Sequence, residues 1–333
     1  MAEAHVHGSG CQHHSAAGMS EGKVRLAMLL TFGFVVVEAF FGYRSHSLAL
    51  LSDAGHNFTD AMALALSWYA LRVARKPADS TRTYGYHRVG ILTALFNALT
   101  LLFIAGFIFV EAYRLLLHPA MVSSIPMMGV AAIAVLLNTG IAVGLRGEAK
   151  HNVNMRSAYI HMAGDALSAL GVILAGAVIH YTGWQYADPL VSVLIGLFII
   201  YSSWGIVVET VNVLLEGAPR GLDMNGLVQA VQAVPGVVGV HDLHVWTIAD
   251  NMNALSCHLR IAEASQSESG QIVRQVKTLL ADRYAVHHST LETECGGCDS
   301  NALYCSLNPS HEDAHHHHAP PQNGPTSSPR FEA

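Results

Sequence analysis

Two histidine and aspartate pairs stand out because each lies inside a long apolar stretch. The first is His56 and Asp60, within LALLSDAGHNFTDAMALA, and the second is His161 and Asp165. Residues four apart on a helix lie one above the other on the same face, so each pair presents an imidazole beside a carboxylate. Two such helices side by side would offer two nitrogens and two oxygens to one ion. That donor set is a tetrahedral complement for a zinc-like divalent cation.

Ionisable residues are costly in hydrocarbon, so they usually face a partner, a cavity or an ion. A single one could be a buried hydrogen-bonded group, but two copies of the same H-x-x-x-D spacing favour a shared cation site. Asp53 precedes His56 by one helical turn and is a reserve ligand. Four further polar residues could either line an access path or form hydrogen bonds between helices: Glu38, Asn97, Glu111 and Asn138.

The elements that must position these pairs are six apolar stretches, each near the length needed to cross a bilayer. They cover residues 24–43, 48–73, 89–113, 125–145, 158–181 and 189–214. The 333-residue chain is 51% hydrophobic and only 13% charged, which is well below the charged share of a soluble protein. Backbone groups in hydrocarbon must be satisfied internally, which favours helices over short strands. We therefore predict a six-helix membrane domain over residues 24–214, with the pairs in the second and fifth spans.

Basic residues near the predicted spans lie mostly on one side of the membrane. That side holds Lys23, Arg25, Arg72, Arg75, Lys76, Arg82, Arg88, Arg146, Lys150 and Arg156. The other side holds only Arg44 and Arg114. The positive-inside rule then predicts that both ends of the chain are cytoplasmic. The polar N-terminus does not have the basic and apolar regions of a cleaved signal peptide.

The composition changes after the sixth span, and residues 215–307 read as a small cytosolic α+β domain. Short apolar runs predict a helix over 222–233, strands over 237–248 and 253–261, a helix over 267–284 and a strand over 286–293. The polar, histidine-containing stretches 1–23 and 308–333 are predicted to be disordered tails. The net charge of -6 gives no indication of a nucleic-acid partner.

The cytosolic domain contains its own candidate metal ligands, because imidazole and thiolate suit zinc and similar cations. The candidates are His241, His244, Cys257, His258, His287, His288, Glu292, Glu294, Cys295 and Cys298. Cys295-Gly-Gly-Cys298 is the strongest local signal, because two thiolates around a glycine turn can chelate one ion. These two cysteines supply only two ligands, and Cys11 and His13 of the N-terminal tail could supply the others. Alternatively, Cys295 and Cys298 are a redox pair or simply reduced thiols. The odd count of five cysteines argues against a disulfide framework.

Several segments together resemble the cation diffusion facilitator family, of the zinc-transporting type. They are the paired H-x-x-x-D motifs, SLALLSDAGHNFTD, YGYHR from Tyr84, NVNMRSA before the fifth span, Asp188-Pro189 and HDLHVW. The resemblance covers about Val24 to Cys298. It implies a homodimer of six-helix protomers, each with a ferredoxin-like cytosolic domain, which exports divalent metal in exchange for protons.

The resemblance also implies roles for individual residues. His56, Asp60, His161 and Asp165 would form the transport site. Further ions would bind in the cytosol to His244, His258, His287, Glu294, Cys295 and Cys298. The loop between the fourth and fifth spans is short and has only His151, whereas several zinc transporters have a long histidine-rich segment there. Any capture of metal would therefore fall to the two tails.

These observations predict zinc efflux by alternating access in a multi-pass membrane protein, with a bacterial inner membrane favoured over a eukaryotic organelle. Cobalt and cadmium can also adopt a tetrahedral site of nitrogen and oxygen. A membrane-anchored metal sensor is the alternative function. An enzyme is not expected, because the H-E-x-x-H segment from His311 to His315 falls in the polar tail and the intramembrane histidines are too few for a two-iron site.

Overall fold

The computed structural model describes residues 21–147, 153–249, 252–262, 265–294 and 303, without the side chains of 21–30, 153–155 and 157–158. Six long helices come first: α1 (Glu21–Ser45), α2 (Leu48–Ala74), α3 (Arg88–Leu117), α4 (Ser124–Leu145), α5 (Val153–Thr182) and α6 (Ala187–Leu214). The C-terminal elements are α7 (Met224–Gln232), β1 (Val237–Ala249), β2 (Met252–Ile261), α8 (Gln266–Tyr284) and β3 (Val286–Glu294).

The six long helices confirm the arrangement that the apolar stretches predict. Within the described residues, four are apolar and long enough to cross a membrane: Arg88–Leu117, Ser124–Leu145, Tyr159–Thr182 and Ala187–Leu214. The main difference lies at helix ends. α3 continues past the predicted end at residue 113, where Arg114 Nη1 lies 3.3 Å from Glu111 Oε2 one turn earlier. An apolar run marks where hydrocarbon ends, whereas the helix continues as long as its backbone bonds can form.

Small side chains at the helix contacts let the backbones approach closely. α2 packs against α1, α3, α5 and α6, while α4 packs against α5 and α3 against α6. Ala49, Ala105 and Ala131 are fully buried in the core of this bundle. Between membrane helices, packing and hydrogen bonds drive association, because lipid is as apolar as leucine. The fixed approach of α2 to its neighbours is what sets the positions of His56 and Asp60.

The start of α2 is held by a carboxylate from another helix. Asp188, fully buried in the first turn of α6, accepts hydrogen bonds from Ser47 Oγ at 2.5 Å, Leu48 N at 2.7 Å and Ala49 N at 3.3 Å. Ser47 is also the N-cap residue, and its Oγ accepts from Leu50 N at 3.1 Å. The first N–H groups of a helix have no partner within the helix, so these contacts satisfy donors that would otherwise be buried without one.

The C-terminal part is a three-stranded sheet in the order β1-β2-β3, with two helices. Leu227 of α7, Val276 of α8 and Leu259 of β2 are fully buried and form part of its core. The element order helix-strand-strand-helix-strand confirms the predicted α+β class. α7 begins at Met224 and not at the predicted residue 222, because Leu222 lies in a turn in which its N–H donates to the Pro219 carbonyl at 3.2 Å.

Asp188→Ala is expected to lower the stability of the membrane helices by about 1–3 kcal/mol, because the Leu48 and Ala49 N–H groups would lose their carboxylate acceptor in a buried position. Thermal unfolding of the purified protein in detergent measures this change. Ser192→Ala is the matched control, because Ser192 is buried in the same helix but donates only to the Asp188 carbonyl. Equal unfolding temperatures for the two variants would contradict the capping role.

Candidate metal centre

The four intramembrane residues that the sequence singles out converge in the structure. One ligand atom from each of His56, Asp60, His161 and Asp165 lies within 4.8 Å of all the others. His56 Nε2 is 3.3 Å from Asp165 Oδ1 and 3.7 Å from Asp60 Oδ2. His161 Nε2 is 3.1 Å from Asp60 Oδ2 and 3.7 Å from Asp165 Oδ2. Each histidine thus faces the carboxylate of its own helix and that of the other.

These separations match the edges of a tetrahedron around a small divalent cation. Ligand atoms about 2.0–2.1 Å from a tetrahedral zinc ion stand about 3.3 Å apart. The four nitrogen–oxygen distances, from 3.1 to 3.7 Å, fall around that value. Among the residues that the structure describes, His56 Nδ1 and Nε2 and Asp165 Oδ1 have no hydrogen-bond partner. A bound cation would satisfy lone pairs that hydrocarbon cannot.

Two of the four side chains are more deeply buried than the other two. The side chains of His56 and Asp165 are buried, whereas those of His161 and Asp60 are 25% and 27% exposed. The two imidazole rings meet edge to face, with centroids 5.9 Å apart.

The reserve ligand Asp53 lies outside this group of four. Its Oδ1 accepts from Ser168 Oγ at 3.1 Å, so it faces α5 at another level of the helix. Glu38 is fully buried and its Oε2 accepts from Asn57 Nδ2 at 2.9 Å. Of the two readings left open for Glu38, the structure therefore gives a hydrogen bond between helices.

A second cluster of ligand-type atoms lies in the C-terminal part. One atom each from His241, His258 and Glu294 lies within 4.8 Å of the other two. Glu294 contacts both histidines, with Oε2 at 3.2 Å from His241 Nε2 and Oε1 at 2.9 Å from His258 Nδ1. His241 is 3% exposed, and its ring nitrogens have no hydrogen-bond partner in the described part of the chain. Two imidazoles and a carboxylate are a common donor set for zinc with a fourth position open.

His258 and Glu294 are among the ligands that the family resemblance implies, and His241 is not; all three lie together in this cluster. His244 is not one of the three clustered residues; instead, its Nε2 lies 3.1 Å from Asp242 Oδ1. Asp242 has a φ of 48°, which is rare for a residue with a side chain and typical of an irregularity in a strand. Regular alternation along β1 therefore could not indicate which of these residues meet.

His287 lies outside both clusters of the described residues, so its assignment as a cytosolic ligand stays a prediction. It is exposed on β3. Side chains alternate along a strand, so His287 lies on the opposite face from Glu294, an odd number of residues away. Four other assigned ligands, Cys11, His13, Cys295 and Cys298, lie outside the described residues.

Cys257 is a buried free thiol on β2 and is not one of the clustered ligands. Burial, with a smaller contribution from Asp242, raises the pKa of Cys257 to about 12. Metal binding requires the thiolate. At neutral pH this thiol stays protonated, so Cys257 contributes to packing.

Comparison with known families agrees with both parts of the chain. Residues 24–215 match the family model for the cation efflux transmembrane domain. Residues 219–294 match the model for the cytoplasmic domain of cation efflux proteins. The two models together span α1–α6 and the C-terminal α+β part.

Individual relatives cover nearly the whole chain. A "Cadmium, cobalt and zinc/H(+)-K(+) antiporter" of Bacillus velezensis is 33% identical over 93% of this chain and 100% of its own length. The "Zinc transporter ZitB" of Escherichia coli is 34% identical over 96% of this chain and 100% of its own. The "Cation efflux system protein CzcD" of an Alcaligenes species is 35% identical over 86% and 90%. The chain therefore belongs to the cation efflux family, whose members are multi-pass membrane transporters and not enzymes.

Proposed function

We propose that this protein moves divalent cations, zinc first among them, out of the cytosol in exchange for protons. The observation that carries the proposal is the convergence of two histidine nitrogens and two carboxylate oxygens at tetrahedral spacing inside the helical bundle. Names of relatives that include zinc, cadmium and cobalt agree with a site of this composition. The membrane would be a bacterial inner membrane, and the positive-inside bias supports cytoplasmic termini.

Proton exchange follows from the chemistry of the ligands. A histidine must be neutral, and a carboxylate ionised, to bind a metal, so protons compete with the ion for the same lone pairs. When the site faces the cytosol, His56 and His161 bind metal in their neutral forms. When it faces the other side, protons replace the metal and release it. Histidine suits this exchange because its charge changes near neutral pH.

The cytosolic cluster of His241, His258 and Glu294 is proposed to bind a further divalent ion. We also propose that the protein is a homodimer and that this domain contributes to its assembly. The match of residues 219–294 to the family's cytoplasmic domain, whose model is named ZT_dimer, supports this. A metal sensor anchored in the membrane would need this cluster but not the intramembrane one. Metal flux therefore separates the two functions.

His56→Ala and Asp165→Ala are each expected to reduce zinc uptake into proteoliposomes to the level of protein-free vesicles, because each removes a deep ligand. The assay uses a zinc indicator trapped inside vesicles and an imposed pH gradient. His180→Ala is the matched control, because His180 lies on the same helix as Asp165 and is exposed at its far end. Full transport by both site variants would exclude this site, and absence of flux in the unmodified protein would favour a sensor.

His241→Ala, made in the Asp165→Ala background, is expected to remove one bound zinc ion per chain. The physical reason is that Glu294 and His258 alone would leave two of four tetrahedral positions without a protein ligand. Calorimetric zinc titration of the full chain in detergent measures the number of ions. His287→Ala in the same background should bind zinc like its parent, and equal loss in both variants would contradict the cluster.

A further inference from the structure

The end of α2 and the loop that joins it to α3 contain four exposed basic side chains. Arg72 lies in the last turn of α2, Arg75 and Lys76 follow at its C-terminus, and Arg82 lies in the loop. α3 is long and apolar enough to cross a membrane and packs against α2, so the loop between the two helices lies at the membrane surface. The four side chains are called the basic loop cluster below.

The loop is folded around one carboxylate, that of Asp79. Its Oδ1 accepts from Thr81 N at 2.8 Å, Thr81 Oγ1 at 2.7 Å and Arg82 N at 2.9 Å, and its Oδ2 accepts from Tyr86 OH at 2.7 Å. The backbones of Asp79 and Arg82 also exchange two hydrogen bonds, at 3.2 and 3.3 Å. Both oxygens of this carboxylate are therefore used inside the loop, and Tyr86 is held in place.

Aromatic rings hold three of the four cations. Arg72 Cζ lies 4.8 Å from the centroid of the Trp68 ring. Lys76 Nζ and Arg82 Cζ lie 5.8 and 5.9 Å from the centroid of the same Tyr86 ring. Cations within about 6 Å of a ring centroid are attracted to its face. Unlike a carboxylate, a ring brings cations together without cancelling their charge, so the cluster stays strongly positive.

The cluster differs in this respect from three other arginines of the membrane domain and its C-terminal flank, each of which has a carboxylate partner. These pairs are Arg88 with Glu216, Arg114 with Glu111 and Arg220 with Glu209, at 3.3, 3.3 and 3.6 Å. Among the residues that the structure describes, no carboxylate forms an ion pair with a member of the basic loop cluster. Membrane topology alone requires positive charge near this point, but it does not require an ordered loop that keeps the charge unpaired.

We propose that the basic loop cluster binds the anionic phosphate headgroups of the surrounding bilayer. Guanidinium groups form charge-assisted hydrogen bonds with phosphate oxygens, and clustered basic residues beside a span are attracted to anionic lipid. Trp68 is 54% exposed and lies one helical turn before Arg72, and tryptophan at a helix end belongs at the headgroup level. This position favours a lipid over a soluble anion.

Bound headgroups would hold the second end of α2, the helix that supplies His56 and Asp60. Its first turn is already fixed by Asp188, which accepts hydrogen bonds from the Leu48 and Ala49 N–H groups. Phosphates at Arg72 and Lys76 would fix the other end at the depth of the bilayer surface. The lipid site does not depend on the proposed transport function, because it requires only that α2 and α3 cross the membrane.

The test is the quenching of Trp68 fluorescence by brominated lipid in vesicles that contain the full chain, measured without metal. Trp184, Trp204 and Trp246 are replaced by phenylalanine so that Trp68 alone reports. At equal mole fraction in phosphatidylcholine vesicles, we expect brominated phosphatidylglycerol to quench about twofold more than brominated phosphatidylcholine, because the anionic lipid is enriched beside the cluster. Added salt should reduce the difference, since it screens exposed charges.

The variant that tests the cluster is Arg75→Gln, Lys76→Gln and Arg82→Gln together. It removes three of the four charges but keeps Arg72, so the contact of Arg72 with the Trp68 ring is retained. We expect this variant to be quenched equally by the two lipids. If the chain with one tryptophan does not fold, native mass spectrometry of the chain with all its tryptophans gives the same comparison, as the number of phosphatidylglycerol molecules retained with and without the three substitutions.

The matched control removes three exposed basic side chains from α8 instead, by Arg274→Gln, Lys277→Gln and Arg283→Gln. It lowers the charge of the chain by the same amount and should keep the preference for phosphatidylglycerol. Equal quenching by the two lipids with the cluster intact would overturn the proposal. An equal loss of preference in the two triple variants would overturn it as well, because net charge and not the cluster would then attract the lipid.

Discussion

The packing of α2 against α5 is the constraint on which the rest of the structure depends. It brings two imidazoles and two carboxylates together inside a bundle whose surroundings are apolar. Each of these groups alone would be costly in hydrocarbon, and together they leave buried lone pairs without donors. The arrangement suits a site that an ion or protons fill, as the proposed function requires. In the proposed function, metal binding and proton exchange both depend on this contact.

The other features of the bundle act on this contact. Asp188 fixes the start of α2 by accepting three hydrogen bonds, and fully buried alanines let α2 lie close to its neighbours. The side chains of His161 and Asp60 are about a quarter exposed, whereas those of His56 and Asp165 are buried. Glu38 and Asp53 are two further buried carboxyl groups of the bundle. The bundle therefore holds α2 at its start, and the ionisable side chains of the metal centre lie farther along the helix.

The membrane part was largely predictable from sequence, because its signals are local. Apolar length predicts a span, and the H-x-x-x-D spacing puts His56 and Asp60 on one face whatever the neighbouring helices do. What one helix cannot indicate is which faces meet. Asp53 shares a helix with His56 but accepts a hydrogen bond from Ser168 of α5, and only the packing of α5 against α2 decides this.

The C-terminal cluster was harder to predict, because strands of different register contribute to it. The sequence analysis grouped His287 with Glu294, although alternation along β3 puts them on opposite faces, and the left-handed backbone at Asp242 disrupts the simple pattern around His241 and His244. The sequence therefore names the histidines and acids of this domain as candidates but does not indicate which of them meet. Long-range pairing supplied the missing information, which single-sequence periodicity does not contain.

The most direct measurement of the central claim is a zinc-loaded crystal structure of the full chain in lipid, with the ion located by anomalous scattering at the zinc edge. The account predicts an anomalous peak between α2 and α5, about 2.0–2.2 Å from one nitrogen each of His56 and His161 and one oxygen each of Asp60 and Asp165. Zinc bound in the bundle away from these four side chains would contradict it, as would an ion there that only water ligates.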